Sequence, residues 1–408
     1  MKKIVLSVIL LLAVAGAALG IAYKNTADID SLPSISVNGT QISPVSGQYR
    51  ACFVPDFLPR GIQNIFSRQI SFTADSIPAV IQTDETSCDI QSPSGFNLIL
   101  KYNDDKSVYT YTDCEILDIP LRGRAEAEVA MDWNGGGLTY RFTLQTTGQP
   151  AVALSDSRPV QGGLVKVEIS DIFANDEINI DSPVFSPSGI TRDRRTHSAR
   201  FYLPITYYQP AKQYPVSVDV GSQVFDFTLD VQRYDFSTIS FTMDRQTSAQ
   251  TAESRRANSE YRRLIHPLYY TKEETVYWDG SMIKPVQERR ISSEFGQIRY
   301  INNSTVPERH SGIDYAAALG TPVYAPAAGK VDFAGFLQLS GNTVVIDHGL
   351  GVKSYFFHMD DVSVTAGDIV RQQQLIGHVG TTGYSTGPHL HFQVNIENQP
   401  VNPELLYK

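Results

Sequence analysis

Short runs of alternating apolar and polar residues, each soon cut off by Gly, Pro, Asn or Asp, fill the chain from Asp30 to about Asp235. VKVEI at Val165 to Ile169, YPVSVDV at Tyr214 to Val220 and VFDFTLDV at Val224 to Val231 show the pattern. Period-two alternation sends one side chain inward and the next to solvent, so these runs predict half-buried antiparallel strands in the spacing of β-sandwiches. Composition agrees: charged residues make up 19% of the chain while Tyr (21) and Phe (19) are plentiful, which suits strands better than long charged helices. A hydrophobic fraction of 42% with 29 Gly and 22 Pro excludes a disordered, collagen-like or polytopic membrane chain.

The chain's 408 residues exceed one compact core and predict two or three domains. A weak echo recurs within the strand-rich region. Pro93-Ser94-Gly95 is answered by Pro187-Ser188-Gly189, and Tyr140 to Leu144 by Phe225 to Leu229. Two consecutive sandwiches with a boundary near Gly148 to Val152 follow from it. At Arg245 to Leu264 the alternation stops and helix formers take over, with Arg255, Arg256, Arg262 and Arg263 expected on a solvated face. An extended connector carrying Trp278, Pro285 and Arg289 then leads to a last β-rich block. The fold class expected is mainly β: a β-sandwich-like domain over 25–150, a second, Ig-like sandwich over 151–235, a helical linker and connector over 236–289, and an antiparallel β domain over 290–408.

Residues 1–22 place Lys2 and Lys3 ahead of an uncharged run rich in small residues, the parts of a signal peptide or an N-terminal membrane anchor. Export to the periplasm or cell envelope is expected. Cys52, Cys88 and Cys114 leave open either one disulfide with an odd thiol or three small buried hydrophobes. A net charge of −9 gives no basic field to draw in phosphate backbones, so nucleic acid is excluded as a main partner.

Six of the eight histidines, His310, His348, His358, His378, His389 and His391, fall in the last domain. In His310-Ser311-Gly312-Ile313-Asp314 an imidazole and a carboxylate four positions apart on extended chain point the same way. In Gly387-Pro388-His389-Leu390-His391-Phe392-Gln393-Val394 the two histidines share one face and Leu390, Phe392 and Val394 the other. His358 ends the aromatic strand Ser354-Tyr355-Phe356-Phe357. Together these offer two imidazoles and a carboxylate for a tetrahedral ion, with two histidines over for chemistry. The domain has no Cys, and three N/O ligands plus water is the open, catalytic arrangement of zinc. His348 and His378, beside glycines at strand ends, read as structural.

The stretches HSGIDYAAALGTPVYAPAAGKV, SGNTVVIDHGLG and GTTGYSTGPHLHFQV, with the strand ending in His358, resemble the lysostaphin-type (LytM-like) zinc metallopeptidases that cleave peptidoglycan. The resemblance covers about Arg290 to Pro403, and the connector Trp278 to Gly296 is similar to the lead-in of such domains. It implies Zn2+ held by His310, Asp314 and His391, with His358 and His389 as the catalytic pair. It also implies a groove across the sheet, flanked here by Tyr300 to Arg309 and Phe336 to Asn342. Gln393 and Met359 depart from the family's usual Glu and Leu, and Gln393 puts a hydrogen bond near the ligands in question.

The function expected is an exported zinc endopeptidase acting on peptidoglycan stem peptides or cross-bridges. The alternative is a non-catalytic wall-binding or hydrolase-regulating envelope protein, and a third reading makes the sandwiches an adhesin or scaffold.

Overall fold

A computed structural model describes residues 32–52, 67–74, 77–102, 107–133, 136–188, 190–242, 252–273, 275–278, 280–302 and 304–408. The export segment expected at residues 1–22 lies outside the described residues, as does the Cys52 side chain. Two units emerge: one runs to Gln149 and takes in Asp171–Asp176, the other comprises Pro150–Ser170 and Glu177–Lys408.

In the first unit a four-stranded sheet (Thr40–Ile42, Ile35–Val37, Ser87–Gln91, Ile116–Asp118) and a seven-stranded sheet share one core. The long hairpin Arg124–Trp133 with Gly136–Thr146 dominates the larger sheet. Along it Ala125, Ala127, Val129 and Met131 are buried and the residues between them are not, as period-two alternation requires. Cys88 and Cys114 are both free thiols.

The second unit begins with a smaller pair of sheets, four strands (Ala151–Leu154, Leu164–Ser170, Ser198–Pro204, Thr191–Asp193) and three (Ile178–Asp181, Gln213–Val220, Gln223–Asp230). The sequence echo does not extend to topology, since four and seven strands stand against four and three. Strand-forming patterns recur wherever a face is half buried, whatever the strand order.

The segment 236–289 is not wholly helical. Thr238–Phe241 is a strand, paired in parallel with Ile298–Ile301, and so belongs structurally with the last domain. Its four residues are too few for alternation to declare them. Helix α1 follows at Ala252–Leu264, with Arg255, Arg256, Arg262 and Arg263 exposed. Its other side, Ala257, Tyr261 and Leu264, repeats at three to four residues and turns inward, Tyr261 and Leu264 with Ile265 joining a cluster of Leu337, Val345, Tyr355 and Phe357. The connector is anchored by Trp278, which is buried against Tyr202 at 5.4 Å between ring centroids.

The last domain is built on a large antiparallel sheet of ten strands, beside which Thr238–Phe241, Ile298–Ile301 and Glu308–Arg309 form a separate sheet of three. Its central order is Arg290–Ser293, Ile313–Ala316, His389–Ile396, Val352–Val362, Gly341–Asp347, Gly329–Leu337 and Ile369–Val370. One face buries Ile313, Tyr315, Phe356, Leu390, Phe392 and Val394 in the main core. The pairings Asp314 with His391, His391 with Phe357, and Gln393 with Tyr355 put those residues together on the opposite face. That second face carries polar residues at one end, while α1 and the turn His266–Tyr269 cover the Tyr355 and Phe357 end. Lys353, fully buried there, is paired with Asp332 and Asp347 and donates to Thr271 Oγ1, which ties the connector to the sheet.

Candidate metal centre

Asp314 and His391 sit directly opposite one another on paired antiparallel strands, so their side chains leave the same face a few ångströms apart. His310 enters just before the first of these strands. Gly312 makes room: a Cβ there would lie 2.9 Å from the His391 ring and 2.5 Å from the Phe392 carbonyl. The result is a triangle. His310 Nε2 lies 3.1 Å from Asp314 Oδ1 and 3.1 Å from His391 Nδ1, and His391 Nδ1 lies 2.8 Å from Asp314 Oδ1. Ligands spread tetrahedrally about zinc at its usual bond lengths stand about 3.3 Å apart, so the three donors fit that ion.

Orientation comes from the other atoms of the same side chains. His310 Nδ1 lies 2.9 Å from the Glu294 carbonyl, which can only accept, so Nδ1 carries the proton and Nε2 presents a lone pair. Asp314 Oδ2 is held by Arg299 Nη2 at 3.2 Å, leaving Oδ1 for the triangle. Burial pushes His310 down, against the pull of Asp314. For Asp314 burial alone would raise the carboxyl, but His310 and His391 outweigh it and hold it well below the usual range. A neutral imidazole and an ionised carboxylate are the forms that bind metal.

His358 and His389 stand beside the triangle, their rings 4.8 Å apart. His358 lies at a bulge: Asn342 pairs with Met359 and Val344 with Phe356, so two residues, Phe357 and His358, oppose Thr343 alone. Its φ of +62° is a left-handed conformation uncommon outside Gly, and it turns the imidazole toward the site where the strand leaves His389–Ile396 for Leu375–Val379. His358 Nδ1 faces the Thr382 carbonyl at 2.8 Å and His389 Nδ1 the Gly387 carbonyl at 2.7 Å. In the neutral form of either ring Nε2 is therefore the atom that carries the lone pair. Burial, then His389 and His391, pushes His358 down to about 4, so it is neutral at pH 7.

All five residues singled out from the sequence thus converge on one face. His348 lies apart, fully buried between the Ala328 carbonyl at 2.7 Å and Ser354 Oγ at 2.8 Å, and His378 pairs with Asp361 on the surface. Gln393 accepts from Ser311 Oγ at 2.6 Å and donates to Asn395 Oδ1 at 2.8 Å, so it braces the residue next to His310 and touches no donor atom of the triangle. Sequence reasoning missed Arg299, and it missed Thr382 and Gly387, whose carbonyls orient the two histidines. An isolated Arg and a Gly/Thr turn carry no spacing signal.

The family profile "Peptidase family M23" matches residues 308–403. "DD-carboxypeptidase/endopeptidase Mpg" of Neisseria meningitidis is 46% identical over 124 residues, 30% of this chain and 28% of that protein. "Peptidoglycan DD-endopeptidase ShyB" of Vibrio cholerae is 39% identical over 116 residues, 28% of this chain and 27% of that protein. The matched stretch therefore spans little more than a quarter of either relative. A solved structure described as a putative peptidase M23 from Pseudomonas aeruginosa covers 61% of this chain and 95% of its own, at 25% identity and a TM-score of 0.46. The sheet and its converging site define a lysostaphin-type peptidase domain. The C-terminal domain of this chain belongs to peptidase family M23.

Proposed function

We propose that the protein is an exported zinc-dependent endopeptidase that hydrolyses peptide bonds in cross-linked peptidoglycan, with zinc held by His310, Asp314 and His391 and proton transfer carried out by His358 and His389. The observation that carries the reading is the 2.8 to 3.1 Å triangle of donors with the imidazoles of His358 and His389 beside it, their rings 4.8 Å apart. The names of the relatives, DD-endopeptidases, favour a D,D cross-link as the bond cut. Export rests on the basic start and apolar run of residues 1–22.

Zinc bound to these donors would supply Lewis acidity, polarising a carbonyl and acidifying water. The chain's own groups do the rest. A neutral Nε2 on His358 or His389 accepts a proton from the attacking water, because each Nδ1 proton is committed to a backbone carbonyl. The imidazole so protonated can bond the developing oxyanion or return the proton to the leaving amine. The bond from Nδ1 to the Thr382 carbonyl keeps the His358 ring in place without substrate, which lowers the entropy lost on reaction.

The test is hydrolysis of purified sacculi by the full chain with and without a zinc chelator. Release of muropeptides that stops on chelation and returns with zinc supports the reading; equal release in both defeats it.

A further inference from the structure

Every bond that aims His310 and the second oxygen of Asp314 comes from residues 293–299, upstream of the stretch matched by the family profile. His310 donates through Nδ1 to the Glu294 carbonyl and through its backbone N–H to the Gln297 carbonyl at 3.1 Å, and its own carbonyl accepts from Gly296 N at 2.8 Å. Arg299 bonds Asp314 Oδ2 and Ser293 Oγ with the same Nη2, while Ser293 Oγ donates to Gln297 Oε1 at 2.7 Å.

That segment is in turn held from the far side. Thr238–Phe241 pairs in parallel with Ile298–Ile301, setting Ile239 beside Arg299. Ser237 accepts from Ile298 N at 2.8 Å through its carbonyl and from Gln297 Nε2 at 3.2 Å through its hydroxyl. The Phe236 ring rests on Gly296 so closely that a Cβ there would lie 2.3 Å from it. Arg309, the residue before His310, has its guanidinium 4.9 Å from the Phe236 ring centre and 5.8 Å from that of Tyr207, a residue of the second sandwich, and donates to the Gly296 carbonyl at 2.8 Å.

We propose that Arg299 is a positioning residue of the metal centre and that Phe236 and the strand Thr238–Phe241 hold it in register, so that the metal site is completed by the segment following the second sandwich. By taking Oδ2, Arg299 fixes the carboxylate plane and presents Oδ1 as a single donor facing the two imidazoles. Without it the carboxylate is free to rotate and to offer both oxygens. Outer partners of this kind alter metal affinity by roughly 10 to 100-fold. The inference rests on the metal reading above.

The test uses the full chain, with zinc affinity from competition against a chromophoric chelator and the visible spectrum of the cobalt-substituted protein as a report on ligand geometry. Arg299→Met is expected to weaken zinc binding by about 10 to 100-fold and to change the cobalt bands. Arg299→Lys, which keeps the charge on a side chain one atom shorter and without the planar guanidinium, is expected to recover part of the affinity. Phe236→Ala is expected to weaken zinc binding as well, in the same direction as Arg299→Met. Should Arg299→Met fail to fold, Arg299→Gln decides: a spectrum and affinity like those of wild type overturn the role of Arg299. Wild-type affinity in Phe236→Ala overturns the role of the upstream segment. If wild-type protein itself takes up no zinc, the metal reading falls; if it binds zinc and Arg299→Met matches it within twofold, only this inference falls.

Discussion

The ring of Phe357 lies parallel to that of His391, with centroids 5.1 Å apart and planes 4° apart. The strand pairing that sets Asp314 against His391 also sets His391 against Phe357, so one row across the sheet runs from carboxylate to imidazole to aromatic wall. Behind Phe357 stands Tyr261 of α1, edge-on at 6.0 Å. The linker helix is thereby part of the packing that backs the site. Phe357→Ala in zinc-free protein should lower stability by about 3 to 5 kcal/mol, the usual result of emptying a buried aromatic site. Urea unfolding measures it, and a loss under about 1 kcal/mol would mean that the stack is incidental.

Ligand and catalytic histidines should separate on substitution. His310→Ala should lose both zinc and hydrolysis. His389→Ala and His358→Ala should keep near-stoichiometric zinc and lose turnover by about 10² to 10⁴-fold. Metal analysis beside a sacculus assay reads both; an His389→Ala protein as zinc-poor as His310→Ala would reverse the assignment.

Gly341 offers a subtler perturbation. It has φ +67°, and a Cβ there would stand 2.2 Å from Thr382 Oγ1 and 2.5 Å from the Thr382 carbonyl. That carbonyl orients His358. Gly341→Ala should therefore reduce turnover at unchanged zinc content, and reduced zinc content at unchanged turnover per bound zinc would contradict the route through Thr382.

Acid sensitivity has a specific source in His348. Complete burial pushes it down to about 4, below the usual value near 6.5 of an unfolded chain. The native state thus resists the proton that the unfolded state accepts: its contribution is intact above about pH 6.5 and is lost as pH falls toward 4, by about 3 kcal/mol in all. Urea titrations of zinc-free protein from pH 7.5 to 4.5 should show a shallower decline for His348→Gln than for wild type. Parallel declines would place the acid sensitivity elsewhere.

Much of the β architecture was legible because one buried face imposes period-two alternation, as at Val165 to Ile169. The His310 and Asp314 pair and the His389 and His391 pair were legible for the same reason: on extended chain their spacing alone puts them on one face. What escaped depends on contacts distant in sequence. Nothing local marks Arg299 as a partner of Asp314, the Thr382 carbonyl as a partner of His358, or the left-handed turn of His358 within a strand. The strand Thr238–Phe241 was hidden in the expected linker because its partner lies 60 residues on, at Ile298–Ile301.

The most direct test of the account is mass spectrometry of the products that the full-length protein releases from defined cross-linked muropeptides. Dimers cut at the D,D cross-link to monomers in the presence of zinc, no cleavage under chelation, and recovery on adding zinc back are the expected results. Intact dimers with zinc present, or cleavage untouched by chelation, would contradict it.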